Sequence, residues 1–184
     1  MTTRRRTKAA AVVSAALLGL GMAGAGTVAN AAGLPDRGDQ ACSQPMLRAS
    51  VTHIPNSDGA GHTGYQVNLK NVSPESCRMA GFPGVSVVGH GDGTQIGQPA
   101  DWSTSPAGQP KVLNPGATAT AKINAVNVDE NGGILGADCK AVKADGWRIS
   151  PPNDTRALYA PYPGLWACSS DVVWLQVTQM NPTS

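Results

Sequence analysis

The chain has 184 residues, of which 41% are apolar, 14% charged and 4% aromatic, with 22 Gly, 14 Pro and four Cys. Gly and Pro together stay below the share at which composition alone forces disorder, and the length suits one domain with a packed core. The formal charge of +2 comes from Arg4, Arg5, Arg6 and Lys8; beyond them ten basic residues face twelve acidic ones with no basic run, so nucleic acid and anionic membranes lose their electrostatic warrant.

Behind the basic start runs an Ala- and Gly-rich apolar stretch ending at Ala29-Asn30-Ala31, small residues where a signal peptidase reads them. The pattern predicts a secretory signal peptide over residues 1–31. The stretch has the roughly 20 residues that span a bilayer, but Ala and Gly gain little from transfer into hydrocarbon. Thr7 and Lys8 stand where a twin-arginine signal has apolar residues, so the general secretion route is expected. No cysteine closes the stretch, so a lipid has no attachment point and the product is expected to be secreted, with no membrane anchor after cleavage. Residues 32–41 read as a flexible leader and residues 42–184 as a single domain.

Cys42, Cys77, Cys139 and Cys168 all fall in the exported part, an even count in an oxidising compartment, which reads as two disulfides. Zinc is the rival, but the spacings contain no C-x-x-C pair. Strand geometry selects among the three pairings. Met46–His53 and Thr63–Asn71 read as strands around a turn-rich segment, with Tyr65, Val67 and Leu69 alternating. Folding them about Asp58 brings Cys42 opposite the neighbourhood of Cys77. Gly146–Ser150 and Thr155–Ala160, folded near Asn153, bring Cys139 opposite Cys168 or a neighbour. Each closed loop is worth about 3–4 kcal/mol in the chain-entropy picture.

Between these hairpins, Val85–Gly89 and Thr94–Gly97 flank His90-Gly91-Asp92-Gly93, where Asp-Gly supplies a tight turn. A long loop leads to Lys111–Leu113, the turn Asn114-Pro115-Gly116 and a strand over Ala117–Val126. Asp171–Met180 reads as the clearest strand, with Val173, Leu175 and Val177 on one face and Trp174 and Met180 on the other. The fold class is all-β: an antiparallel sandwich of about seven to eight strands, disulfide-stapled.

The order of features is distinctive: an early Cys42, Lys70-Asn71-Val72, then Ser76-Cys77-Arg78-Met79-Ala80-Gly81-Phe82-Pro83-Gly84-Val85-Ser86, Leu113-Asn114-Pro115-Gly116-Ala117-Thr118-Ala119, a late Cys139 and Pro151-Pro152. This resembles the family called domain of unknown function 4232, found in exported and lipid-anchored proteins of actinobacteria. The likeness runs from about Cys42 to about Thr178. It implies an immunoglobulin-like, disulfide-stapled sandwich without an assigned activity. Many similar proteins are lipoproteins, and this chain departs from them in lacking the lipidation cysteine.

Gly84-Val85-Ser86-Val87-Val88-Gly89 imitates a nucleophile elbow, but its second glycine comes one residue late. His53, His62 and His90 form no pattern with a nucleophile, and the chain has only two glutamates, Glu75 and Glu130, for carboxylate-pair chemistry. No enzyme is expected and no cofactor. Asn127, Asp129, Asn131 and Asp138, with Gly132 at the sixth position, copy the spacing of a calcium loop; the plainer reading is a polar loop with an Asn-Gly turn. Copper through Met46, Met79, Met180 and the histidines is a further alternative, against core filling by the methionines.

Aromatics give the last signal. Trp147, Tyr159, Tyr162, Trp166 and Trp174 lie within one short stretch. Tyr159, Tyr162 and Trp166, with Trp102, are the candidate binding surface for a protein, peptide or glycan; the competing reading places Trp147 and Trp174 in the core with Trp166 covering a sandwich end. The expectation is a secreted, monomeric, non-catalytic binding or cell-envelope module. An extracellular calcium- or copper-binding protein is the alternative, and a hydrolase without a recognisable motif the third reading.

Overall fold

A computed structural model describes residues 40–104 and 107–181 of the chain. The predicted signal peptide and residues 32–39 of the predicted leader lie outside them. The chain enters through a 3-10 turn, Gln44–Met46, into β1 (Leu47–His53) and β2 (His62–Asn71), followed by β3 (Cys77–Met79), β4 (Gly84–Gly89), β5 (Thr94–Ile96) and β6 (Asp101–Trp102). Then come β7 (Lys111–Leu113), β8 (Thr118–Val126), a 3-10 stretch at Gly133–Asp138, β9 (Ala141–Lys143), β10 (Gly146–Ser150), β11 (Leu158–Pro161), β12 (Trp166–Cys168) and β13 (Leu175–Val177).

Thirteen strands among the described residues replace the seven or eight expected, because several loops add two- or three-residue strands too short for periodicity to reveal. The longer elements follow the two-residue alternation. Leu47, Ala49 and Val51 of β1 are buried while Arg48 and Ser50 are exposed. In β8, Ala119, Ala121, Ile123 and Ala125 turn inward. A five-stranded sheet has the order β1-β2-β8-β13-β6 and a four-stranded one β11-β10-β4-β5; β12 with β9 and β3 with β7 form two small ladders. All pairs are antiparallel except β6 with β13, a parallel contact that the expectation of a purely antiparallel sheet missed.

The two larger sheets enclose one core, and the β11 edge packs against β1. Val67, Leu69, Ile123 and Leu175 from the five-stranded sheet meet Val85, Val87, Trp147 and Ile149 from the other. Each fully buried large aliphatic contributes about 2 kcal/mol relative to exposure. Trp147 is fully buried, with its ring centroid 5.3 Å from that of Tyr65, so these two aromatics join the inner faces.

Both staples take the pairing that the hairpins dictate: Cys42 with Cys77 and Cys139 with Cys168, at Cα separations of 4.9 and 4.5 Å. The register Leu47↔Asn71 carries the first hairpin toward the first cystine. For the second, Gly146↔Pro161 extended outward sets position 139 opposite 168, and the short pair β9–β12 completes the approach with Cys168↔Ala141.

Three local expectations are corrected. Met46 precedes β1 in the 3-10 turn, where Pro45 occupies the first turn and removes a strand donor. Gln40 and Ala41, in the expected flexible leader, are tied to β3: the Arg78 N–H donates to the Gln40 carbonyl at 2.7 Å and the Cys42 N–H to the Arg78 carbonyl at 3.0 Å. The C-terminal strand shortens to Leu175–Val177, with Val173 exposed while Trp174 and Met180 are buried. The Trp174 carbonyl still accepts the Val126 N–H of β8 at 2.9 Å, and its side chain is covered beside Tyr65, Tyr162 and Trp166.

Polar anchors fix the loops. Buried Asn71 donates through Nδ2 to the carbonyls of Glu75 (2.7 Å) and Leu113 (2.9 Å), and its Oδ1 accepts from Ser73 N–H and O–H. Its amide is thereby satisfied without water, which is what permits an Asn inside a core. The Asp154 carboxylate accepts from Gln44 N–H at 2.8 Å, from Arg156 N–H at 2.9 Å and from the Arg156 guanidinium at 3.1 Å, which binds the Pro151–Ala157 loop to the chain's entry. The Arg156 guanidinium, followed by the Gln44 N–H, holds this carboxyl at about 2.

Candidate functional site

The outer face of the four-stranded sheet carries the densest set of exposed chemistry. Register places Tyr159 of β11, Arg148 of β10 and Ser86 of β4 in one row across it. Ser86, the false elbow serine, is buried there and accepts from Arg148 Nε at 3.2 Å, while the guanidinium also reaches Gln95 Oε1 on β5. Two of the five Arg148 N–H donors thus serve cross-strand pairing within the sheet.

Tyr159 remains 54% exposed although its position is fixed. Its hydroxyl donates to the carbonyl of Asp145, which precedes β10 and lies three residues before the register partner Arg148, at 2.9 Å, so the ring leans along the sheet. The same carbonyl accepts the Tyr162 N–H at 3.0 Å, so its two lone pairs hold both ends of the Tyr159–Tyr162 segment. Beside the ring runs an open groove of about 750 Å³ walled by Tyr159, Pro161 and Pro163 on one side and by Val88, Lys143 and Asp145 on the other. Gly91 and Gly93 also line it, and apart from their chain neighbours nothing lies within 4 Å of a Cβ built at either position. Asp145 is fixed as well, since its carboxylate accepts the Gly91 N–H at 2.8 Å.

The other expected aromatics lie elsewhere. Tyr162 turns to the inner side, edge-on to Tyr65 at 5.5 Å and to Trp147 at 6.4 Å. Two-residue alternation is the cause: Tyr159, Pro161 and Pro163 share the groove, and Tyr162 between them faces the core margin. Trp166 and Tyr162 line a separate hollow of about 210 Å³ with Tyr65 and Trp174. There burial, then Tyr162 and the Asp58 charge, push the Tyr65 phenol up to about 12. The Lys143 ammonium sits 5.6 Å over the Trp166 ring. Trp102 is 66% exposed and stacks on Phe82 at 4.8 Å, but it belongs to β6 in the other large sheet. The four-residue surface Trp102, Tyr159, Tyr162 and Trp166 therefore separates into three places, and only Tyr159 fronts the groove. Lys143, Asp145, Pro161 and Pro163 join it unforeseen; the alternation of Tyr159, Pro161 and Pro163 was the available signal.

Of the metal candidates, Asp129 is used in turn geometry. Asp129 Oδ1 accepts from Asn131 N–H at 2.8 Å and Gly133 N–H at 2.9 Å, and these bonds hold its carboxyl below the usual carboxylate range. Asn127 Oδ1 accepts from the Thr63 hydroxyl, and Asp138 ends the 3-10 stretch, exposed. Met46, Met79 and Met180 are buried in the core, whereas His90 stands on the β4–β5 turn and His53 is held by Asp58 at 2.9 Å. Among the described residues, no group of three or more His, Cys, Asp or Glu side chains is placed to hold a metal ion. Among them also, no helix is long and apolar enough to cross a membrane.

The Cys42–Cys77 staple, the Asn71 anchor and the Phe82-Pro83-Gly84 entry to β4 coincide with a family model described as Domain of unknown function (DUF4232), which matches residues 42–181. The chain belongs to this family. No curated protein matches it. The matched DUF4232 region contains both cystines and every residue of the Tyr159 groove.

Proposed function

We propose that this chain is exported, cut after Ala31, and works outside the cell as a non-catalytic binding module of the envelope, with the groove along Tyr159 as its contact surface. The observation that carries the reading is the Tyr159 ring, large, exposed and pinned at its hydroxyl beside an open groove. A ring fixed before binding loses little further freedom on contact, and aromatic anchors of this kind dominate interfaces. Two cystines suit an oxidising compartment, and the Ala29-Asn30-Ala31 pattern supports cleavage there.

The test has two parts. Intact mass of the chain recovered from the medium is expected to begin at Ala32; recovery only with residues 1–31 attached contradicts the export route. Retention of the chain on washed cell envelopes is expected to fall for Tyr159→Ala at unchanged melting temperature. Equal retention of variant and wild type contradicts the groove as the contact surface.

A further inference from the structure

We propose that the Tyr159 groove takes a neutral carbohydrate chain, with one sugar ring packed on the tyrosine; this deepens, and rests on, the reading of that groove as the contact surface. Four features lead to this ligand class. First, the groove holds a single aromatic face. Tyr162 and Trp166 line the other hollow, and Trp102 lies on the other sheet. Peptides in the polyproline conformation dock between several aromatic walls, whereas a pyranose needs only one, since its axial C–H bonds form an apolar face that matches a ring.

Second, the polar groups at the groove are mixed in sign. Lys143, a donor, and Asp145, an acceptor, both line it, and Asp92 stands between the two lining glycines. Sugar hydroxyls donate and accept at once, so they suit such a pair, while a strongly charged ligand would meet one partner of like sign. Asp145 also offers capacity: one carboxylate oxygen is taken by the Gly91 N–H, and among the described residues no hydrogen bond uses the other.

Third, Arg148, the remaining cation near Tyr159, donates to Ser86 and Gln95. Arg148 borders a neighbouring hollow, and among the described residues that line the groove there is no arginine to clamp a carboxylate or phosphate in the bidentate way. Fourth, the groove is open and of a size, about 750 Å³, within the roughly 300–1,000 Å³ range of ligand sites. Gly91 and Gly93 at its edge carry no side chain of their own, which leaves room there for a chain longer than the groove.

The experiment is an amide-resolved titration of the full chain with the trimers of N-acetylglucosamine, of β-linked glucose and of α-linked mannose, and with a proline-rich peptide. The expected result is saturable shifts at Gly91, Gly93, Asp145 and Tyr159 with at least one trimer. Tyr159→Ala should weaken that binding about tenfold, and Tyr159→Trp should retain it, both at unchanged melting temperature. Shifts with none of the trimers overturn the carbohydrate assignment. If the peptide then moves the same amides, or envelope retention still depends on Tyr159, the groove reading survives with another ligand; if neither holds, both fall.

Discussion

Tyr159 and Tyr162 stand three residues apart, share the Asp145 carbonyl as an anchor, and end in opposite environments. Tyr159 lies along the outer face of the four-stranded sheet beside an open groove. Tyr162 points to the margin of the core, where it meets Tyr65 and Trp147 edge-on. The difference teaches that an aromatic-rich segment is no surface by composition alone. The two-residue period of β11 and its continuation divides the rings between support and contact.

Substitutions test this division most strongly on the core side. Trp147→Ala is expected to cost about 4 kcal/mol, because a fully buried ring that joins both sheets leaves a cavity; chemical denaturation with an unchanged m-value checks it. Tyr162→Ala should cost about 2 kcal/mol, as a half-buried ring loses part of its packing. Tyr159→Ala should cost under about 1 kcal/mol, since most of that ring faces water. A loss for Tyr159→Ala as large as that for Tyr162→Ala would erase the distinction.

Titration sharpens the same comparison with smaller effects. Tyr65, in the cluster with Tyr162, has its phenol raised to about 12, so the folded chain holds that proton more tightly than the unfolded one near the ordinary value of 10. The associated stability is complete below pH 10 and is lost as pH climbs toward 12. Melting followed across that window should show the decline, and Tyr65→Phe should flatten it. Asp154 behaves in the opposite sense: its carboxyl is lowered to about 2, so its contribution is present above about pH 4 and disappears as pH falls toward 2. Asp154→Asn should remove that acid-side slope, read from the same melts.

The sequence shows the long hairpins because their alternation and turn chemistry agree, and the register of β1–β2 and β10–β11 then determines both cystines. It hides the short ladders, since three residues of β9 or β12 carry no period and are held by partners distant in the chain. Trp174 illustrates a second limit. It and its neighbour Leu175 are both buried, so both faces of this segment are covered, which an alternation with one buried face cannot reveal. The groove is half legible: the exposed Tyr159 is a candidate from its sequence, while Lys143 at the end of β9 and Asp145 just before β10 reach it through the short link between two different sheets. The Asn127–Asp138 spacing shows the reverse error, a ligand-like pattern whose Asp129 oxygen is spent on turn N–H groups.

The most direct measurement compares Tyr159→Ala and Tyr162→Ala side by side for melting temperature and for retention on cell envelopes. The account predicts that Tyr159→Ala melts like the wild type and is no longer retained, while Tyr162→Ala melts lower and, below its transition, is retained. Retention lost with Tyr162→Ala and kept with Tyr159→Ala would contradict it.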